Sequence, residues 1–127
     1  MGFSTFVGGD PRYDGTRNQF VRPGGEAAGT FGYTVNGAIS IVSGTHRIAK
    51  TSAAAMTIAP PSASEEDCRL TVVAGTAFPH TLTVTGGLGG NAADDVITFA
   101  KVGDSISLRA VALRWVPEGA PYGAVIS

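Results

Sequence analysis

The stretch CRLTVVAGTAFPHTLTVT (68–85) decides the fold class of this chain, because two runs within it alternate between apolar and polar residues. In the first run Leu70 and Val72 share one face. In the second run Leu82 and Val84 do the same, with threonines between and after them. A period of two residues is typical of a half-buried β-strand. The stretch therefore predicts two consecutive strands joined by a short turn.

Similar runs extend outward from this stretch in both directions. Together they predict about nine short strands with turn residues between them, and no amphipathic helix of ten or more residues. Asn36-Gly37 predicts a hairpin turn, and the polar segment 62–67 predicts a loop with one helical turn. The other predicted strands are FGYTV (31–35), AISIVS (38–43), HRIAK (46–50), AAAMTIA (53–59), DVITFA (95–100), SISLRAVALRWV (105–116) and YGAVI (122–126).

These strands predict an all-β fold, either an antiparallel β-sandwich or a jelly-roll-like barrel. Parallel strands joined through helices would need crossover connections for which the chain has no room. We expect a single β-sandwich domain over residues 31–127, with its strands between about 31 and 126.

Residues 1–30, here called the arm, differ from this body in composition. They contain seven glycines and no sustained apolar period, so we predict an extended segment. Solvated linkers are poor in aromatic residues, whereas the arm contains Phe3, Phe6, Tyr13 and Phe20. We therefore expect the arm to bury its rings against this chain's own body or a neighbouring chain. The interface residues predicted in the arm are Phe3, Phe6, Arg12, Tyr13, Arg17, Phe20 and Arg22.

Composition excludes several functional classes. Charged residues make up 15% of the chain and the net charge is −1, so no basic surface is expected to attract nucleic acid. A single cysteine allows neither an internal disulfide nor a CxxC zinc site. No apolar run approaches the roughly 18–20 residues that cross a bilayer, and the N-terminus lacks a signal-peptide pattern. We expect no membrane partner.

Few residues offer catalytic or metal-binding chemistry. Cys68 would need a nearby cation to be reactive, and we interpret it as a small, half-buried residue at a loop edge. His46 and His80 lack the spacing of a metal site. Adjacent Asp94 and Asp95 point to opposite faces of a strand, so a calcium site formed with Asn91 and Asp104 is not expected.

The remaining motifs also have structural interpretations. The run Gly86–Gly90 resembles a phosphate-binding loop, but no helix follows it, and we interpret it as a flexible loop. Glu65, Glu66 and Asp67 form a solvated charged run. Trp115 is expected in the core or an interface rather than stacked on a sugar. We predict no catalytic residue, no metal, no cofactor and no enzymatic activity.

Two stretches resemble structural proteins of tailed bacteriophage virions. The first spans 33–87 and contains KTSAAAMTIAP (50–60) and HTLTVT (80–85). The second is GDSISLRAVALRWVPEG (103–119), similar to the ending of phage head decoration and fibre domains. Within it RAVALRW (109–115) replaces the usual Asp-Gly or Asn-Gly turn, so a hairpin is not expected there. The resemblance covers roughly residues 33–126.

The resemblance implies a capsid decoration (cement) protein that binds the outer capsid surface and stabilises contacts between capsid subunits. Its expected partners are the major capsid protein and further copies of itself, as a homotrimer in preference to a homodimer. Such a protein is made in the host cytoplasm and resides on the virion. The alternative is a head-fibre or receptor-binding domain that recognises a host glycan.

Overall fold

The computed structural model describes residues 29–127, and all elements named below lie in that range. Within residues 29–127 there are ten β-strands and one 3-10 turn, so the all-β prediction is confirmed. The strands are β1 (Gly29–Tyr33), β2 (Gly37–Ala38), β3 (Gly44–Ile48), β4 (Ala55–Ile58), β5 (Arg69–Ala74), β6 (His80–Val84), β7 (Val96–Phe99), β8 (Ser105–Val111), β9 (Arg114–Pro117) and β10 (Val125–Ile126).

The strands form two five-stranded sheets. The first sheet has the order β1-β3-β5-β8-β9, and the second has the order β10-β7-β6-β4-β2. From β1 to β6 the chain alternates between the sheets, placing one strand in each. We call each such pair of strands a coil. The three coils β1–β2, β3–β4 and β5–β6 stack on one another, and β7 to β10 complete both sheets on the far side of the third coil.

The sheets are mixed, which corrects the expectation of an antiparallel sandwich. Successive coils pair in parallel in both sheets, whereas β5–β8, β8–β9, β6–β7 and β7–β10 are antiparallel. Each parallel neighbour is reached through a strand of the opposite sheet, so no crossover helix is needed. A jelly-roll-like arrangement, which is built from antiparallel strands, is not supported by this pairing.

Two turn predictions are also wrong. Asn36-Gly37 does not join a hairpin, because β1 and β2 belong to different sheets. Conversely, the predicted long strand 105–116 is divided into β8 and β9 by a two-residue turn at Ala112 and Leu113. Both turn residues have positive φ, of 53° and 65°. That conformation usually selects Gly or Asn, so the sequence carries no signal for this turn.

The core lies between the two sheets and is formed by the residues that alternate inward. Leu70, Val72, Leu82 and Val84 are buried, as the period-2 pattern predicts. The largest fully buried side chains are Trp115 and Phe99. The predicted helical turn in segment 62–67 is confirmed as the 3-10 turn Ala63–Glu65.

Gly29 and Thr30, which the sequence assigned to the arm, belong to β1. The predicted arm otherwise lies outside the described residues, and so do all of its predicted interface residues, Phe3, Phe6, Arg12, Tyr13, Arg17, Phe20 and Arg22.

Candidate functional site

Within the described range 29–127, the strands of the second sheet place no charged side chain on its outward face. Because side chains alternate along each strand, inward positions such as Met56 and Leu82 are buried and the intervening residues face outward. We call this outward surface the neutral face. It consists of Ala38, Ala55, Thr57, Thr81, Thr83, Val96, Thr98 and Val125.

Strand register aligns the threonines of the neutral face. Thr57 of β4 pairs with Thr83 of β6, and Thr81 of β6 pairs with Thr98 of β7. At the edge of the sheet, Val125 is 61% exposed. The result is a pleated surface of methyl and hydroxyl groups without any ionic group.

The outward face of the first sheet has a different character. It carries arginines in four strands, Arg47, Arg69, Arg109 and Arg114. Two of them form exposed ion pairs, Arg69 with Glu118 at 3.2 Å and Arg109 with Asp67 at 2.7 Å. Exposed pairs of this kind contribute little to stability. Burying this face against another protein would remove water from its arginines, which is costly. The neutral face has no such cost and is the better candidate for an interface.

His46 is buried in the first sheet and holds the first coil against the second. Its Nε2–H donates to the Val42 carbonyl at 2.7 Å, and its Nδ1 accepts from the Tyr33 hydroxyl at 2.8 Å. The Tyr33 hydroxyl also accepts a hydrogen bond from the Ser40 amide. The Phe31 ring stacks on the imidazole, with centroids 4.7 Å apart. Every polar atom of this imidazole is engaged in its neutral form.

His80 has an equivalent role between the second and third coils. The Ala54 amide donates to its Nδ1 at 3.0 Å, and its Nε2–H donates to Thr76 Oγ1 at 2.8 Å. The Thr76 hydroxyl in turn donates to the Lys50 carbonyl at 2.6 Å. A second proton on this ring would sit at Nδ1 and face the Ala54 amide, which is also a donor. The fold therefore requires neutral His80.

Both histidines make stability depend on pH. Desolvation by burial lowers the pKa of His46 and of His80 below the ordinary 6.5, and the positive charge of Lys50 also lowers the pKa of His80. Below pH 6.5 the unfolded chain therefore binds protons at His46 and His80 more readily than the folded chain does. The stabilising contribution is complete above pH 6.5 and is lost progressively as the pH falls below it.

We therefore expect the free energy of unfolding to fall between pH 7.5 and pH 5.5, by at most ~1.4 kcal/mol per pH unit for each histidine. Urea unfolding followed by circular dichroism at both pH values measures this change. Few other side chains titrate in that range. The variant His80→Gln should be less stable at pH 7.5 and show a smaller pH dependence. An unchanged pH dependence in the variant would contradict the assignment.

The other residues considered in the sequence are separated by the structure. Cys68 is half-buried, as interpreted from the sequence, and accepts a long hydrogen bond from the Ser43 hydroxyl. Asn91 and Asp94 hydrogen-bond to each other before β7, whereas Asp104 follows β7 and caps the amides of Ala100 and Lys101. Within residues 29–127 no group of three or more His, Cys, Asp or Glu residues could hold a metal ion.

The glycine run is a structured loop, so its interpretation as a flexible loop is wrong. Leu88 is only 6% exposed and is part of the core. Four of the glycines have positive φ, and the Gly89 amide donates to the Trp115 carbonyl at 2.8 Å. A Cβ at Gly87 would overlap the Asn91 carbonyl oxygen. The glycines are therefore required by the positive φ values and the close backbone contacts of this loop.

Trp115 is 1% exposed, in agreement with its predicted core position. Its indole Nε1–H donates to the Ala59 carbonyl at 2.8 Å. The acidic run 65–67 also has hydrogen-bonding partners, which lie in β8 and in the β8–β9 turn. Glu66 accepts from the Ala112 amide at 3.0 Å, and Asp67 pairs with Arg109.

The sequence contained one part of the signal for the neutral face. Threonines alternate with apolar residues in 80–85, which predicts a polar outer surface. Thr57 lies beside Thr83 because successive coils pair in parallel. The positions of the turn residues in the sequence do not predict this pairing.

A comparison of the chain with models of known protein families finds no match, and a comparison with curated proteins finds none either. No helix within residues 29–127 is long and apolar enough to cross a membrane.

Proposed function

We propose that this chain is a capsid decoration protein of a tailed bacteriophage. It binds the outer capsid surface and stabilises contacts between capsid subunits, with the major capsid protein as its partner. The observation that supports this role best is the neutral face. The resemblance of segments 33–87 and 103–119 to phage virion proteins supplies the identity of the partner.

The composition of the neutral face fits a protein interface. The buried centres of protein interfaces are depleted in charged residues, since a charge that loses water there is costly unless it is paired. The hydroxyls of Thr57, Thr81, Thr83 and Thr98 can donate and accept hydrogen bonds, so they adapt to varied partner groups. A two-sheet scaffold holds these groups in place, which reduces the ordering cost of binding.

The arm is proposed as the second contact. In the sequence it precedes β1, an edge strand of the first sheet. Burying one aromatic side chain contributes roughly 1.5–3 kcal/mol, and arginines can form bidentate contacts with acidic partners. Phe3, Phe6, Tyr13 and Phe20 are the proposed anchors, on neighbouring subunits or on the capsid protein.

Deletion of residues 2–25 tests the arm. We expect the truncated protein to keep its β-sheet circular dichroism and to lose capsid binding, or to oligomerise poorly. If the truncated protein fails to fold, the arm completes this chain's own core and its assignment to a partner is wrong.

We also propose that the protein is a homo-oligomer, with a trimer preferred over a dimer. Analytical ultracentrifugation of the isolated full chain should give the mass of an oligomer. A strict monomer both in solution and on the capsid would contradict this expectation.

Co-sedimentation with purified capsids tests the proposed function against the glycan-binding alternative. We expect the protein to pellet with capsids of its own phage and to give no signal on a glycan array. The buried Trp115 offers no ring for a sugar to stack on. Glycan binding without capsid binding would replace the proposal with a head-fibre or receptor-binding role. The proposed location is the virion surface, after synthesis in the host cytoplasm.

A further inference from the structure

A second candidate contact is a cleft whose lining shares no residue with the neutral face. Three connections meet there: the β4–β5 link, the β6–β7 loop and the β8–β9 turn. Between them is an open cleft of about 210 Å³, lined by Pro60, Thr85, Gly86, Gly87, Gly90, Leu113, Arg114 and Trp115. Residues from three distant parts of the sequence build it, so no single motif reveals it.

The volume of the cleft restricts what it can hold. Sites for small-molecule ligands usually enclose about 300–1,000 Å³, so this cleft is too small for a cofactor or an oligosaccharide. It is large enough for one or two side chains of a partner polypeptide. The glycines along one wall leave the backbone uncovered, which allows another extended chain to approach closely.

The turn that forms one wall is strained. Ala112 and Leu113 both adopt left-handed φ values, a conformation that is unfavourable for residues other than glycine. Asn-Gly would occupy such a turn without that cost. Instead the turn places Leu113 at the rim of the cleft with 54% of its surface exposed. Strained residues of this kind concentrate at functional sites.

The charge of the cleft identifies the kind of partner. Arg114 is the only charged residue among those that line it. The ion pairs found within residues 29–127 involve Arg69 and Arg109 and leave Arg114 out. Glu66 is engaged by the Ala112 amide. A guanidinium beside apolar groups selects a carboxylate that lies next to an apolar side chain.

The cleft is also fixed in shape. The indole of Trp115 is held by the Ala59 carbonyl, and the glycine loop is held by the Trp115 carbonyl. A Cβ at Gly90 would lie 2.9 Å from Arg114 Nε, so the arginine side chain packs directly on the loop. A preformed site binds with a small ordering cost.

We propose that this cleft binds an extended segment of a partner protein that presents an apolar side chain next to an aspartate or glutamate. Leu113, which is exposed at the rim, contacts the apolar group, and Arg114 binds the carboxylate. The residues of the cleft are not those of the neutral face. The proposal does not depend on the proposed capsid role, because the capsid protein is only one of the proteins that could supply the segment.

Nuclear magnetic resonance of the ¹⁵N-labelled full chain tests the proposal. The chain has one tryptophan, so the single indole N–H resonance belongs to Trp115, one of the residues that line the cleft. The probes are the peptides acetyl-Gly-Leu-Asp-Gly-amide and acetyl-Gly-Leu-Asn-Gly-amide. We expect the Asp peptide to shift the Trp115 indole and the Gly86–Gly90 amides in a saturable manner. The Asn peptide, or the variant Arg114→Gln, should bind roughly tenfold more weakly.

Two controls keep the result specific. Arg47→Gln removes an arginine from the outward face of β3 and should leave the affinity for the Asp peptide unchanged. A peptide copying residues 9–15, which place Tyr13 next to Asp14, probes the arm of a second copy. If only that peptide shifts the indole, the occupant is another copy of this chain and a foreign partner is wrong. If no peptide shifts it, or Asp and Asn peptides bind equally, the proposal is overturned, while capsid co-sedimentation would be unaffected.

Discussion

The double variant Thr57→Asp and Thr83→Asp should lose capsid binding while the fold is retained. The two residues are paired neighbours in β4 and β6 at the centre of the neutral face. An aspartate is short, so its carboxylate cannot reach past the interface to water as a lysine can. An unpaired charge buried in an interface costs about 3 kcal/mol or more, which weakens binding by roughly a hundredfold.

The matched control is Thr57→Asn and Thr83→Asn, which has the same shape and a similar strand propensity but no charge. We expect it to retain most of the binding. A second control, Thr45→Asp, places one aspartate on the exposed outer side of β3 in the first sheet. Co-sedimentation with capsids measures all three variants, and circular dichroism verifies their fold. Equal binding by the Asp and Asn pairs would remove the neutral face from the proposed interface.

Trp115→Ala should cause the largest loss of stability of any single core substitution considered for this chain. The side chain is the largest in the core and is 1% exposed. Its removal leaves a cavity and an unpaired Ala59 carbonyl, and large-to-small changes of this kind cost about 3–5 kcal/mol. Small domains have a total stability of about 5–15 kcal/mol, so the variant should be close to unfolding at physiological temperature.

The control Trp115→Phe separates packing from hydrogen bonding. It keeps most of the apolar volume and loses only the donor to Ala59, so we expect a smaller loss of about 1–3 kcal/mol. Urea unfolding must be followed by circular dichroism, because both variants lack the only tryptophan. A loss below about 1 kcal/mol for the alanine variant would mean that Trp115 is not a central packing residue.

Much of the fold could be predicted from local patterns. Alternation of apolar residues identified β5 and β6 and placed Leu70, Val72, Leu82 and Val84 in the core, because the two faces of a strand meet different surroundings. The same alternation is present in parallel and antiparallel sheets. It therefore could not show that successive coils stack in parallel.

Turn chemistry was less informative than alternation. Asn36-Gly37 is a strong hairpin signal, yet it stands where the chain crosses between sheets. Ala112 and Leu113 form a true hairpin turn although neither residue favours positive φ. In both places the pairing of the strands overrides the preference of the turn residues, and such conflicts are expected at strained or functional positions.

The candidate surfaces were only partly visible in the sequence. The threonines of segment 80–85 predicted a polar outer face, but the neutral face also needs Thr57 from another coil. Trp115 could be assigned to the core or an interface, because one buried aromatic ring is the ordinary case in a β-sandwich. The cleft beside it combines residues 60, 85–87, 90 and 113–115, and only the folded topology brings these together.

Cryo-electron microscopy of capsids mixed with the purified full chain tests the central claim most directly. The proposed function predicts density for the two-sheet body on the outer capsid surface, with the second sheet, including Thr57 and Thr83, facing the capsid protein or a neighbouring copy. Capsids that remain bare at saturating protein, or density in which the neutral face points into solvent, would contradict it.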